Sequence, residues 1–140
     1  MTPLMSAGLP DNIADVETLE NFLSWPSQSL IDDLAALDGD IIILGVGGKI
    51  GPCLARMAKR AAPGKRIVGV ARFSNNEVKQ RLEDWGVETL ACDLLDRQAV
   101  AELPKLPNVI YMAGRKFGTD GDEPFTWAMN VCVPALVAEA

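Results

Sequence analysis

Glycines recur at every third position where a run of apolar β-forming residues meets a segment with helical periodicity, at Gly45, Gly48 and Gly51. Glycine at a strand-to-helix junction permits a tight turn and lets the backbone come close to a pyrophosphate. The free N–H groups and positive dipole end of the following helix favour the same anion. We therefore predict that this turn binds the phosphates of a dinucleotide. The residues assigned to that site are Gly45, Gly47, Gly48, Lys49, Ile50 and Gly51.

The spacing of these glycines distinguishes between types of phosphate-binding turn. The pattern Gly-x-Gly-x-x-Gly requires a glycine at position 50, where the chain has Ile50. A P-loop requires Ser or Thr after Gly-Lys, and here Gly48-Lys49 is followed by the same isoleucine. The pattern Gly-x-x-Gly-x-x-Gly fits without a gap. A strand, a glycine turn and a helix without any ligand is the alternative that the glycines alone leave open.

The distribution of charge argues against a nucleic-acid partner. The chain has 140 residues, of which 19 are acidic and 13 basic, and a net charge of −6. Residues 1–40 hold eight of the acidic residues and none of the basic ones. An acidic chain without a basic stripe is a poor match for a polyanion, and its positive charges lie nearer the predicted phosphate site.

The sequence further predicts a cytoplasmic protein without a membrane partner. No apolar run is long enough to span a bilayer, and the N-terminus lacks the features of a signal peptide. The cysteines Cys53, Cys92 and Cys132 are odd in number and widely spaced, as expected of free thiols in a reducing compartment. The lack of histidine and of paired cysteines argues against a metal site.

After Asp40 the apolar pattern alternates between strands and helices. Strands are predicted at Ile41–Leu44, Ile67–Ala71, Thr89–Cys92 and Val109–Met112. Helices are predicted at Pro52–Ala61, Asn76–Trp85, Arg97–Glu102 and Pro124–Ala138. Such alternation predicts a parallel sheet with helices on both faces and ligands at the carboxyl ends of the strands. The predicted fold class is therefore α/β, a partial Rossmann-like doubly wound sheet of about four strands with an N-terminal helical extension.

The chain divides into two predicted regions. Residues 1–39 form an acidic helical extension, of which the first ten residues are predicted to be loose. Two amphipathic helices follow, at Asp15–Trp25 and Ser27–Leu37, and their apolar stripes are expected to cover the domain. Residues 40–140 form the dinucleotide-binding domain.

Four short motifs follow one another within residues 40–140. They are Leu44-Gly45-Val46-Gly47-Gly48-Lys49-Ile50-Gly51, Cys92-Asp93-Leu94-Leu95-Asp96, Val109-Ile110-Tyr111-Met112-Ala113-Gly114 and Asn130-Val131. In this order and spacing they resemble the N-terminal half of an extended short-chain dehydrogenase/reductase of the NAD-dependent epimerase/dehydratase family. The first motif stands where that family has Thr-Gly-x-x-Gly-x-x-Gly, with Leu44 in place of the threonine.

The resemblance implies roles for residues outside the glycine turn. Asp93, beside Leu94, matches the aspartate that contacts the adenine in that family. Ala113 and Gly114 match the strand end beside the cofactor's ribose. Asn130 matches an active-site asparagine, which gives it a supporting catalytic role. Two alternatives remain, namely Asp93 as a helix N-cap and Asn130 as a polar residue packed in a helix.

The end of the second predicted strand favours NADP as the cofactor. An NAD-binding domain usually places Asp or Glu there, about 20 residues past the glycines, to bind the ribose 2′-hydroxyl. This chain has Ala71 at that point and Arg72 next to it. A guanidinium fork suits a 2′-phosphate. NAD remains the alternative, with Arg72 solvating the strand end or stacking on the adenine.

The catalytic pair of the resembled family, a tyrosine with a lysine four residues later, is missing. Tyr111 is the only tyrosine, lies inside a predicted strand and is followed four residues later by Arg115, so we predict that it packs in the core. The pair would fall beyond residue 140, and we expect the chain to be a truncated portion of a longer protein. An exposed sheet edge or the last helix would then support a homo-oligomer. The helix residues expected to be partly exposed are Val131, Val133, Leu136 and Val137.

Two functional hypotheses follow. In the first, the chain is the NAD(P)-binding portion of an epimerase, dehydratase or reductase whose small-molecule substrate is a sugar nucleotide or a related hydroxyl compound. In the second, it is a non-catalytic NADP-binding module that senses redox state or regulates a partner. A Tyr-x-x-x-Lys sequence in the parent gene would favour the first.

Overall fold

The computed structural model describes residues 11–116 and 120–140, so the predicted loose segment at residues 1–10 lies outside the described residues. The strands are β1 (Ile41–Leu44), β2 (Ile67–Ala71), β3 (Glu88–Ala91) and β4 (Asn108–Tyr111). The helices are α1 (Val16–Leu23), α2 (Gln28–Ala36), α3 (Gly51–Ala61), α4 (Asn76–Asp84), α5 (Arg97–Ala101), α6 (Glu123–Trp127) and α7 (Val133–Glu139). A π-helical segment, Ala128–Cys132, joins α6 to α7.

All four strands pair in parallel, in the order β3-β2-β1-β4. This arrangement confirms the predicted α/β class and the partial Rossmann-like sheet. Strand β1 is central, with Ile42 paired to Val68 on one side and to Val109 on the other. The strand order reverses between β1 and β4, and a crevice for ligands forms at the carboxyl ends of such a pair.

The two faces of the sheet carry separate apolar cores. Alternate residues of β1 point to opposite faces, so Ile41 and Ile43 join one core while Ile42 and Leu44 join the other. The α3 cluster contains Ile41, Ile43, Val46, Ala55, Ala58, Ile67, Leu82 and Val87. The α7 cluster contains Ile42, Leu44, Val68, Val70, Cys92, Leu94, Val100 and Val133. Burial on both faces explains why the two central strands read as continuous apolar runs.

The predicted element bounds are close to the observed ones. Strands β1 and β2 have the predicted limits, and β3 and β4 each begin and end one residue earlier. Asp15 and Ser27, predicted as first helical residues, are N-caps whose side chains accept hydrogen bonds from the N–H groups of Thr18 and Leu30. Each cap satisfies one of the free N–H groups at a helix start, which fixes where the helix begins.

The last helix differs from the single α-helix predicted for Pro124–Ala138. Pro134 has no N–H to donate to the carbonyl of Asn130, and the N–H of Val133 bonds to the carbonyl of Ala128, five residues back. The prediction that Val133 is partly exposed is wrong, because it is fully buried in the α7 cluster. Val131 is 52% exposed, as expected for the opposite side of the helix.

The N-terminal helices pack on α3 and are held there by polar contacts. The guanidinium of Arg60 on α3 donates to the carbonyl of Asn21 (3.0 Å), to its side-chain Oδ1 (2.8 Å) and to Ser24 Oγ (2.8 Å). Ser24 is completely buried, and its hydroxyl donates to the carbonyl of Glu20. Glu20 forms an ion pair with Arg81 on α4.

The predicted apolar stripes of the extension are buried only in part. Leu34 on α2 packs against the α3 cluster. On α1, by contrast, Leu19 is 37% and Leu23 is 50% exposed. The contacts of Arg60 and Arg81 therefore contribute much of what holds α1 in place. Within the described ranges, no helix is both long enough and apolar enough to cross a bilayer.

We expect Arg60→Met to lower the free energy of unfolding by about 2 kcal/mol, because the buried Ser24 and the part-buried oxygens of Asn21 lose their charged donor. Arg97→Met, at an exposed arginine on α5, is the matched control and should change stability by less than about 0.5 kcal/mol. Urea denaturation followed by far-ultraviolet circular dichroism measures both. Equal stabilities for the two variants would show that α1 is held by its apolar contacts instead.

Candidate functional site

A cavity of about 290 Å³ opens at the carboxyl ends of the strands, where the strand order reverses. Its walls come from the turn after β1, the segments following β2, β3 and β4, helix α4 and the π-helical segment. The lining residues are Gly45, Gly47, Gly48, Ala71, Arg72, Phe73, Ser74, Asn75, Val78, Cys92, Asp93, Leu94, Met112, Ala113, Gly114 and Met129. The volume is near the lower end of the range for small-molecule sites.

Two of the three motif glycines are required by the fold itself. Gly45 has a φ of +93°, and a Cβ there would lie 2.5 Å from the backbone nitrogen of Ala113. A Cβ on Gly51 would lie 2.0 Å from the carbonyl oxygen of Val46. The carbonyl of Val70 accepts from the N–H groups of both Gly45 and Val46, at 2.9 and 3.0 Å. The turn is therefore fixed against β2, β4 and α3 together.

Gly48 meets no such steric demand. A Cβ at this position would find only the carbonyl oxygen of Gly45, at an ordinary distance of 3.7 Å. There is less space at Gly47, where an added Cβ would lie 3.0 Å from the Cβ of Ala71. The fold alone thus leaves the glycine at position 48 unexplained, whereas a ligand lying against the turn would require it.

The start of α3 is open at the glycine turn. Ile50 occupies the N-cap position, makes no capping hydrogen bond with its side chain and is 68% exposed. Lys49 beside it is also exposed. The first N–H groups of this 11-residue helix and one lysine therefore supply positive potential at the turn.

Arg72 and Ser74 line the cavity beyond the end of β2, and both are exposed. In residues 11–116 and 120–140 no hydrogen bond or ion pair engages the guanidinium of Arg72. Helix α4 follows, with the carboxamide of Asn75 accepting from the N–H of Glu77 at 2.8 Å. This corner presents a cation and a hydroxyl beside the N-terminus of a helix.

The segment after β3 carries Asp93, Leu94 and Cys92, all of which line the cavity. The N-cap alternative for Asp93 is wrong, because Asp96 caps α5 by accepting from the N–H groups of Gln98 and Ala99. Asp93 is exposed, and its carboxylate accepts from the N–H of Leu95 at 3.1 Å. Burial raises the pKa of the Cys92 thiol, so this cysteine is an unreactive part of the wall.

Asn130 fixes the segment that follows β4. Its side-chain oxygen accepts from the N–H of Arg115 at 2.7 Å, and its side-chain nitrogen donates to the carbonyl of Arg115 at 2.7 Å. A Cβ on Gly114 would lie 3.2 Å from that oxygen. Asn130 is thus an exposed residue that pairs with a neighbouring loop, rather than one packed within its helix. Its amide holds Ala113 and Gly114 at the cavity wall.

The π-helical segment adds a residue that no sequence motif indicated. Met129 lines the cavity, and its carbonyl accepts from the hydroxyl of Tyr111 at 3.4 Å. Burial raises the pKa of Tyr111, whose ring packs against the α7 cluster, in agreement with the predicted packing role. Pro134, which removes a helical hydrogen bond, is the only sequence signal for this irregularity.

No family model matches this chain. A search among curated proteins gives no match either. The resemblance to short-chain dehydrogenases therefore depends on the four motifs alone.

Within the described parts of the chain, no group of three or more Asp, Glu or Cys side chains is placed to hold a metal ion.

We expect Gly48→Val to keep the fold and to weaken dinucleotide binding at least about tenfold, a loss of about 1.4 kcal/mol. The new side chain would occupy the open space at the turn and would keep a pyrophosphate away from the backbone. Gly64→Val is the matched control, since a Cβ at that exposed turn meets nothing within 4 Å. Isothermal titration with NADP measures the affinities, and equal affinities for the two variants would contradict the assignment of the turn.

Gly51→Ala should behave in the opposite way and destabilise the fold. Its Cβ would clash with the backbone of Val46, and such overpacking costs about 1–3 kcal/mol. Thermal unfolding of Gly51→Ala beside Gly48→Ala separates the two roles. A Gly48→Ala variant that unfolds as easily as Gly51→Ala would contradict them.

We expect Asn130→Ala to loosen the segment after β4. Each lost hydrogen bond costs about 1 kcal/mol, so protection of the Arg115 amide from hydrogen exchange should fall about fivefold or more. Asn76→Ala, at an exposed asparagine of α4, is the control. Unchanged exchange at Arg115 would show that the segment is held by other contacts.

Proposed function

We propose that this chain binds NADP at the cavity, as the NAD(P)-binding portion of an epimerase-, dehydratase- or reductase-like oxidoreductase. The observation that carries the proposal is Gly48, whose lack of a side chain answers no need of the fold and leaves the turn open to a ligand. The position of the cavity, where the strand order reverses, supports the same conclusion.

In this proposal the pyrophosphate lies on the glycine turn. The N–H groups at the start of α3 and the ammonium group of Lys49 would stabilise its charge. Gly45 and Gly51 contribute indirectly, because they allow the turn and the helix to reach their positions.

The adenosine half would lie along the ends of β2 and β3. Asp93, with an exposed carboxylate, would accept from the exocyclic amine of adenine, beside the apolar side chain of Leu94. Arg72 and Ser74 would bind the ribose phosphate, because a guanidinium fork and a hydroxyl donate to a phosphomonoester. Ala71 supplies no carboxylate that would repel it.

The nicotinamide half would then lie beside Ala113 and Gly114, at the end of β4. A nicotinamide held there would supply hydride transfer to or from a substrate carbon. The chain's own part in that step is positional, since Asn130 holds the backbone of Arg115 and thereby the strand end. A small hydroxyl-bearing molecule, such as a sugar nucleotide, is the substrate class we propose for the parent protein.

A non-catalytic NADP-binding sensor or regulatory module is the second candidate. It is favoured by Tyr111, the chain's only tyrosine, whose hydroxyl is bound to the carbonyl of Met129 and whose pKa is raised by burial. No other phenol in the sequence is present to exchange a proton with a substrate. A hydride-transfer assay of the chain together with its parent protein distinguishes the two candidates.

We also propose a cytoplasmic location. Cys53, Cys92 and Cys132 are all free thiols, and burial raises the pKa of both Cys53 and Cys92. Free thiols are typical of a reducing compartment.

We expect the wild-type chain to bind NADP at least about tenfold more tightly than NAD, and Arg72→Ala to remove most of that preference. A charge-assisted contact of this kind contributes about 1.5–3 kcal/mol. Titration calorimetry at fixed ionic strength measures both ligands, with Arg97→Ala as the control for loss of an exposed positive charge. Equal affinity of the wild-type chain for NAD and NADP would exclude this role for Arg72.

A further inference from the structure

One residue beside the cavity has an unusual backbone conformation. Among residues 11–116 and 120–140, Phe73 is the one residue other than glycine with a positive φ, which is 49°. This left-handed region is unfavourable for a residue with a Cβ, and especially for a bulky aromatic one. Such a conformation persists only where the surrounding structure imposes it.

The surroundings of Phe73 show what imposes it. The ring is half-buried and packs against the α3 cluster, while the residue also lines the cavity. On one side, the carbonyl of Ala71 accepts from the N–H of Cys92 at 3.0 Å, which fixes the end of β2. On the other side, Asn75 caps α4 and fixes its start. The ring is thus the apolar anchor of a short turn held at both ends.

The residues on either side of Phe73 both line the cavity. Arg72 and Ser74 flank the half-buried ring, and both are exposed and line the cavity. In an extended strand the two neighbours of a buried residue also share one face of the sheet, but the chain then continues in the strand direction. The left-handed residue between them instead turns the chain from β2 into α4 at the cavity wall.

We propose that Phe73 is the positioning residue that determines the preference for a ribose phosphate. This inference rests on the proposed function. With its ring packed against the α3 cluster, Phe73 holds the backbone of Arg72 and Ser74 so that the guanidinium and the hydroxyl can both reach one phosphomonoester. Preorganised donors bind more tightly than the same donors on a mobile turn, because less conformational entropy is lost on binding. Phe73 itself makes no contact with the phosphate in this account.

Phe73→Gly tests the inference, because glycine adopts a positive φ without strain but removes the ring. We expect the Kd for NADP to rise at least about tenfold while the Kd for NAD changes less than about twofold. Leu54→Ala is the matched control, since Leu54 also packs against the α3 cluster but does not line the cavity. That variant should leave the ratio of the two affinities unchanged.

Phe73→Leu provides a second measurement of the NADP preference, which remains valid if the glycine variant does not fold. Leucine keeps an apolar side chain but lacks the ring, so we expect a loss of NADP preference of about threefold to fivefold. An unchanged ratio in Phe73→Leu or in a folded Phe73→Gly would overturn the inference. A parallel loss for NADP and NAD would also overturn it, because it would show a merely structural role.

The wild-type chain and Arg72→Ala separate this inference from the proposed function. If the wild-type chain binds neither dinucleotide, the proposed function fails and the inference fails with it. If the wild-type chain prefers NADP and Arg72→Ala removes that preference while Phe73→Gly keeps it, only the inference is wrong.

Discussion

The close approach of backbones at the turn after β1 is the constraint on which the rest of the site depends. The turn bonds to the carbonyl of Val70 on β2, touches the backbone at Ala113 beyond β4 and supports the first residue of α3. No side chain fits at Gly45 or Gly51 without displacing one of these neighbours. Because three elements meet at one turn, the ends of β2 and β4 are brought to opposite walls of a single cavity. The phosphate site proposed for Gly48 follows from the same arrangement.

The loops around this turn are held by polar side chains that bond to backbone. Asn130 pairs with the backbone of Arg115, Asp93 accepts from the N–H of Leu95, and Asn75 caps α4. Such contacts give irregular segments fixed shapes, since backbone groups that leave a sheet need other partners. In the described part of the chain Arg72 has no such bond, and in the proposed function its charge binds the ribose phosphate. The site therefore combines loops fixed by amides and carboxylates with exposed cations, Lys49 and Arg72, on its rim.

Local signals made most of this structure predictable. Periodicity and short-range sterics determine where β1 and β2 lie and where the chain turns after β1. The predicted bounds of both strands therefore agree with the structure. The burial of Val133 was not predictable, because it depends on how the last helix is rotated by the π-helical segment before it. The left-handed conformation of Phe73 has no local signal either, since it arises from packing against a distant core. The partner of Asn130 lies 15 residues away, beyond the reach of any short motif.

A titration of the isotope-labelled chain with NADP, followed by amide chemical shifts in nuclear magnetic resonance spectra, tests the central claim most directly. The account predicts that the amides of Gly47, Lys49 and Ile50 shift together with those of Arg72 and Ser74, while those of α1 stay unchanged. The two groups of signals should move with one dissociation constant, because a single dinucleotide spans both ends of the cavity. No shifts at millimolar NADP, or shifts confined to α1 and α2, would contradict it.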